Sequence, residues 1–208
     1  MPKVVDHHGR RGEIVATACR IIARDGFDAT TMAAIAAELG YANGALKPYF
    51  ATKHDLLVAA FDHICTETTR RAIRAAEGLT GLAAVRAYCH EIIPLDDETI
   101  AAARVVIPFW DRALNDPDLA RRQRDAVSTW RDDLGAHLRH AHRSGEIAAT
   151  IDTTRLVELL VTALHGSQIT GTLGGSTPSG TRRQLETLLE LLGLESRHPR
   201  SPRSQRAR

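Results

Sequence analysis

The sequence predicts an all-α chain of about nine helices, and three observations carry that prediction. Helix formers dominate the 208 residues, with Ala at 31, Leu at 22, and 24 Arg against 3 Lys. Apolar side chains recur at three- and four-residue steps along most of the chain. No stretch alternates with the two-residue period of a strand. In order, Ile14, Ala18, Ile21 and Ile22 give a first helix one buried face, and Gly26 ends it. Thr31 offers a hydroxyl cap to a short second helix, whose inner face is Met32, Ile35, Ala36 and Leu39 and whose stop is Gly40. A third short helix is expected from Asn43 to Phe50. Thr52 and Asp55 form a capping box that opens a long helix through Leu56, Leu57, Ala60, Phe61 and Ile64 to Ala76, before Gly78.

Further helices are expected over Leu82 to Ile93, closed by Pro94, and from the acids Asp96, Asp97 and Glu98 to Leu114. Asp116-Pro117 is a cap followed by the favoured first-turn proline, and that helix runs to Ser144, before Gly145. Asp152 caps a helix carrying Leu156, Leu159, Leu160, Ala163 and Leu164. Thr170 to Pro178 reads as a loop, and Leu185, Leu188, Leu189 and Leu192 mark the last helix. The two carboxy-terminal apolar faces exceed what packing on one body needs, so they are expected to form a symmetric seam with a second copy.

Composition narrows the function. At 43% apolar and 25% charged the chain is ordinary for a globular protein, and collagen, disulfide scaffolds and a fully disordered chain are excluded. Three cysteines with no CxxC spacing fit a reducing compartment and no structural zinc. No run approaches the roughly 18 apolar residues of a membrane span, and no apolar segment follows the amino terminus as in a secretion signal. A cytoplasmic protein without membrane contact is expected. Charge is divided unevenly. Residues 196–208 carry +5 and no acid, while the rest of the chain is −3 overall. That tail is expected to be disordered, either a solubilising segment or a reinforcement of contact with a polyanion.

Thr30 to Phe50 is the informative stretch. Ala36 lies four residues before Gly40, which meets the need of a helix-turn-helix for a small side chain at the crossing and glycine at the turn. Leu46, six residues after Gly40, can anchor the second helix. Asn43, Gly44, Ala45, Lys47 and Tyr49 would then face outward, where Asn and Lys read base edges and Lys and Tyr reach phosphates. An ordinary helical corner with incidental polar residues has the same spacing.

The run Gly26-Phe27, Thr30-Thr31-Met32, Ile35-Ala36, Leu39-Gly40, Gly44-Ala45-Leu46, Tyr49-Phe50, Lys53 and Leu56-Leu57 resembles the amino-terminal domain of the tetracycline-repressor (TetR) family. The resemblance implies a DNA-binding domain over residues 10–62, with the motif at 31–50, and an effector-binding and dimerisation domain over residues 63–195. It implies a homodimer on a double-stranded, pseudo-palindromic operator, most simply a repressor released by a small-molecule effector. Thr30 or Thr31, Tyr49 and Lys53 would touch phosphates, and Asn43, Gly44, Ala45 and Lys47 would lie near bases. Lys47 stands where most relatives have Tyr, and Pro48 where they have a donor or an aromatic. Pro48 therefore shortens or delays the recognition helix. Arg10 and Arg11 are expected to precede the first helix as a basic arm. Later segments, including Ile93-Pro94-Leu95-Asp96, Phe109-Trp110, Trp130-Arg131 and Gly145-Glu146, resemble the betaine-biosynthesis repressor subgroup of that family.

By the same resemblance, Tyr88, Cys89, Arg104, Phe109, Trp110, Thr162, His165 and Gln168 lie on the helices that enclose an effector pocket. Pro108 should kink its helix and open room beside Phe109 and Trp110. The expected ligand is mostly apolar, with one or two hydrogen-bonding groups. No GxGxxG, Walker, GxSxG or HExxH pattern occurs, so no enzyme, cofactor or metal is expected. His137 and His140 share a helical face, but Arg139 and Arg143 flank them and disfavour a cation. The competing reading is a helical small-molecule- or metal-binding protein with a vestigial helix-turn-helix.

Overall fold

The computed structural model describes residues 7–42 and 44–194, with side chains through residue 191, and shows helices and no strand among them. The helices are α1 His7–Asp25, α2 Met32–Glu38, α3 Lys53–Ala76, α4 Gly81–His90, α5 Asp97–Ala113, α6 Pro117–Arg143, α7 Thr153–Thr172 and α8 Pro178–Leu194. Residues 196–208 and Asn43 lie outside the described residues, as does the side chain of Leu192.

Local chemistry sets the boundaries. Thr31 caps α2 by accepting from the Ala34 N–H. Thr52 and Asp55 bond reciprocally at the start of α3, and Asp96 and Thr99 do the same for α5. Asp116 and Asp152 cap α6 and α7. α4 is capped from elsewhere. Thr80 makes no side-chain cap, and the Glu146 carboxylate accepts the Leu82 N–H at 2.9 Å. An anion there also suits the positive end of the helix. Gly81 sits at φ 60°, a backbone that favours glycine, and a Cβ there would push aside the capping Glu146 carboxylate.

Two expected boundaries move. α1 begins at His7, so Arg10 and Arg11 lie within it and not on an arm ahead of it. α7 runs to Thr172, into the expected loop, and ends only where Gly174 takes φ 77°. Of the expected third helix, the described residues 44–50 are not helical. They form a chain of tight turns, with Ala45 bonded to Ala42, Lys47 to Gly44 and Tyr49 to Leu46. Gly44 at φ 91° breaks the helical backbone, and Pro48 has no N–H to return to Gly44. This segment accounts for the difference between the eight helices among the described residues and about nine expected.

Three apolar clusters hold the protein. One joins Ile14, Ile21 and Ile22 of α1 to Ile35, Ala36, Leu46, Phe50, Leu56 and Ala60, and it recruits Val105 from α5. The largest packs α4, α6, α7 and α8 through Val85, Tyr88, Leu134, Leu138, Leu160, Leu164 and Leu189. Between them lie Leu57, Phe61, Val106, Phe109 and Leu119, with the Phe61 and Phe109 rings stacked at 3.7 Å. α3 runs through residue 62, the expected end of the first domain, and α5 contributes to two of the three clusters.

The carboxy-terminal apolar face divides in two. Leu156, Leu160, Leu164, Leu185 and Leu189 are buried within the protomer. Leu159, Ile169, Leu173 and Leu191 are exposed, by 51%, 40%, 78% and 57%. Leu160, expected on the seam, is therefore core.

Candidate DNA-binding face and effector cavity

Leu46 and Phe50, at 1% and 2% exposure, pin the turn segment to α1 and α2. Gly44, Ala45, Lys47 and Pro48 are left exposed, and Tyr49 half-buried. The basic residues of α1 brace this segment. Arg10 lies over the Tyr41 ring at 4.7 Å, Arg11 over Phe50 at 4.6 Å, and His7 packs on Tyr49 at 5.5 Å. Each guanidinium rests on the electron-rich face of a ring. Of the two adjacent threonines, Thr31 is exposed at the α2 cap. Thr30 is buried, and its hydroxyl donates to the Gly26 carbonyl at 2.8 Å. The Lys53 ammonium donates to the Phe27 carbonyl at 2.7 Å and lies 4.1 Å from the centre of the Phe27 ring. Partial burial lowers its pKa.

The Phe27 ring also carries Arg112 of α5, with its guanidinium carbon 3.7 Å from the ring centre and 3.7 Å between Arg112 Nη2 and Asp28 Oδ1. About two turns upstream, Arg104 donates to the Ala23 carbonyl near the end of α1 at 3.0 Å. α5 is thus bolted to α1 and to the α1–α2 loop at two points.

The inner side of α5 walls a small cavity of about 20 Å³, room for about one water. Phe61, Cys65 and Thr68 of α3, Trp110 of α5, Gln123 and Trp130 of α6, Gln168 of α7 and Glu91 of the α4–α5 connection line it. Phe61, Cys65 and Ala126 also line an open groove of about 700 Å³ between α3 and α6, and Arg122 bridges that groove to Asp62 at 3.1 Å. Both tryptophans of the chain face the cavity. The Trp110 indole donates to Gln123 Oε1 at 2.9 Å, and Trp130 donates to Thr69 at 3.1 Å. With Gln123 Oε1 engaged by an indole, Gln123 Nε2 is the donor toward His165 Nε2 at 3.2 Å, which makes that imidazole nitrogen an acceptor. His165 also packs edge-on against Trp110 at 5.1 Å.

Of the eight expected effector residues, Trp110 and Gln168 line the cavity, while His165 stands behind Trp110 and Gln123. Phe109 is beneath it, stacked on Phe61. Four lie elsewhere. Tyr88 is fully buried and donates to the Asp133 carboxylate at 2.9 Å, and Cys89 is core. Arg104 docks α1, and the exposed Thr162 bonds back to the Glu158 carbonyl. Trp130 and Gln123 were absent from the expected set, although Gln123, Ala126, Val127 and Trp130 repeat at helical spacing and mark one face of α6. Among the described residues no group of three or more His, Cys, Asp or Glu could hold a metal ion, and no helix is long and apolar enough to cross a membrane.

Burial lowers the pKa of His165, and also those of His90 and His137. Each is uncharged in the native state near neutrality, so the unfolded chain binds more protons below its ordinary 6.5. Stability is therefore full above that value and declines as pH falls through it. The thermal midpoint should drop between about pH 6.5 and about pH 5, and His165→Asn should flatten part of that slope. A midpoint constant over this range would contradict the burial of these rings.

Comparison with known proteins agrees with this architecture. Residues 14–60 match the family model described as bacterial regulatory proteins, tetR family, and residues 81–194 match BetI-type transcriptional repressor, C-terminal. The transcriptional regulator BetI of Burkholderia mallei is 28% identical over 197 residues, covering 89% of this chain and 93% of that protein. The regulator PksA of Bacillus subtilis is 30% identical over 139 residues, covering 66% and 68%. A transcriptional regulator from Saccharomonospora viridis, crystallised in complex with choline, superposes with a TM-score of 0.81 at 22% identity, covering 88% of this chain and 96% of that one. With a helix-turn-helix region and a carboxy-terminal body that both match, the chain belongs to the TetR family of DNA-binding transcriptional regulators, with a carboxy-terminal domain of the BetI type.

Proposed function

We propose that the chain acts in the cytoplasm as a homodimeric repressor whose hold on a pseudo-palindromic operator is weakened by a small molecule entering the cavity beside Trp110. The observation that carries this reading is the double role of α5, which walls the cavity and grips α1 and the α1–α2 loop through Arg104 and Arg112. At about 20 Å³ the cavity is too small for an organic ligand, so binding must displace Trp110 or its neighbours. Movement of α5 is transmitted to the base of the turn segment, and a ligand that favours the moved state shifts the population away from the DNA-competent one. The open groove between α3 and α6 supplies the approach.

At the DNA, the exposed Gly44, Ala45 and Lys47 reach base edges, and Asn43, outside the described residues, belongs with them by position. Thr31, Tyr49 and Lys53 take phosphates, and Thr30 supports the loop that holds them. Lys53→Ala should weaken binding to every duplex alike and lower the salt slope by about one counterion. Lys47→Ala should instead relax preference at one or two positions of each half-site, at about 1–3 kcal/mol each. Gel shifts over a salt series and a panel of point-substituted duplexes read both, and specific binding indifferent to both changes overturns the assignment. The exposed Leu159, Leu173 and Leu191 supply the dimer seam.

A further inference from the structure

We infer that the ligand of the interior cavity presents a hydrogen-bond donor, a hydroxyl or an N–H, to Gln168 Oε1; this rests on the reading of that cavity as the effector site. Gln168 is 95% buried and lines the cavity, and its carbonyl oxygen has no partner. Its amide cannot be turned round. Nε2 donates to the Ile92 carbonyl at 3.2 Å, and that carbonyl only accepts, so the oxygen is fixed on the other side. A buried acceptor without a partner is costly, and it persists where something else supplies the proton.

The polar neighbours do not supply it. Both indole N–H groups are engaged, Gln123 bridges Trp110 to His165, and the Thr99 hydroxyl is held by Asp96. The remaining charged lining group, Glu91, is also an acceptor, and Arg71 pairs with it at 3.3 Å while reaching Glu98 on its other side. The lining thus offers aromatic faces, the Thr68 hydroxyl, an orphan acceptor and no cation; Arg71, whose Nη2 is also without a partner, reaches Glu91 but is not itself part of the lining. It should admit an alcohol, amide or amine with a compact apolar or singly cationic body. It should reject carboxylates and phosphates, which would place lone pairs against Gln168.

Matched probes test this without knowledge of the natural ligand. The set is choline, its O-methyl ether, the neutral carbon isostere 3,3-dimethylbutan-1-ol, and the methyl ether of that alcohol. Because both tryptophans line the cavity, fluorescence titration at up to millimolar concentration reports binding there directly. Each alcohol should bind about tenfold more tightly than its ether, the effect of one hydrogen bond to a buried acceptor. Gln168→Met keeps length and volume, and should reduce alcohol affinity to that of the ether while the ether is unchanged. Retained helicity and operator binding establish that the variant folds, and the wild-type comparison stands without it. Ethers that equal the alcohols would overturn the donor requirement and leave the cavity assignment intact. If no probe alters the fluorescence, the donor inference falls together with the effector-site reading, whereas the DNA-binding assignment, tested by Lys47 and Lys53, is unaffected.

Discussion

Leu159→Arg combined with Leu191→Arg should give a folded monomer whose operator affinity is lower by on the order of 10²-fold or more. Both leucines are more than half exposed in the protomer, so arginine costs the isolated fold little. In a two-fold seam each new charge meets its own symmetry mate or an apolar surface, and neither offers a partner. A dimer engages two half-sites, and the second engagement is intramolecular; a monomer forfeits that gain. Light scattering at micromolar concentration and a gel shift on the same preparation read the two effects. Leu160→Arg is the informative contrast, because Leu160 is fully buried between α7 and its neighbours and that change should unfold the protomer. A double variant that remains dimeric places the seam elsewhere.

Arg112→Ala should separate the cavity from the DNA. Phe27 carries two cations on its ring, Lys53 at the start of α3 and Arg112 near the end of α5. Each such contact is worth about 0.5–2 kcal/mol, comparable with the 1–3 kcal/mol of an allosteric coupling. With Arg112 removed, basal operator affinity should stay within about threefold of wild type. The change in affinity on adding any compound that perturbs the tryptophans should shrink to about twofold or less. Phe27→Leu keeps the apolar packing and removes the ring face, so it should behave alike. The ratio of operator dissociation constants with and without such a compound is the quantity to measure. An unchanged ratio in both variants would route the coupling through Arg104 and the Val105 contact instead.

Helix caps were legible in the sequence because they are local. The Thr52–Asp55 box, the Asp116-Pro117 start and the Asp152 cap need only neighbouring residues, and each appears where the pattern places it. The cap of α4 was not legible, since its carboxylate comes from Glu146, 64 positions away from Leu82. The start of α1 was misplaced because His7 to Arg11 lacks an apolar face, and its turns are held by the rings of Tyr41, Tyr49 and Phe50. The turn segment shows the opposite limit. Proline at position 48 foretold a shortened helix, but the positive φ of Gly44 is a tertiary choice that spacing does not express.

For the effector site, periodicity marks which residues face inward and not which cavity they face. Tyr88 and Trp110 both read as inward aromatics. One is tied to Asp133 in the main core, and the other walls the cavity with Gln123 behind it. The orphan oxygen of Gln168 is likewise a property of α7 and the α4–α5 connection together, since the Ile92 carbonyl fixes the amide.

Selection from a pool of random duplexes, followed by sequencing of the bound fraction, reads out whether a symmetric pair of these turn segments recognises DNA. The enriched sequences should contain two inverted half-sites with centres separated by about one helical turn of 10–10.5 bp or a multiple of it. The same selection with Lys47→Ala should preserve the spacing and blur one or two positions in each half. A pool that shows no enrichment, or that yields a single unrepeated element with the Lys47→Ala profile unchanged, would contradict the account.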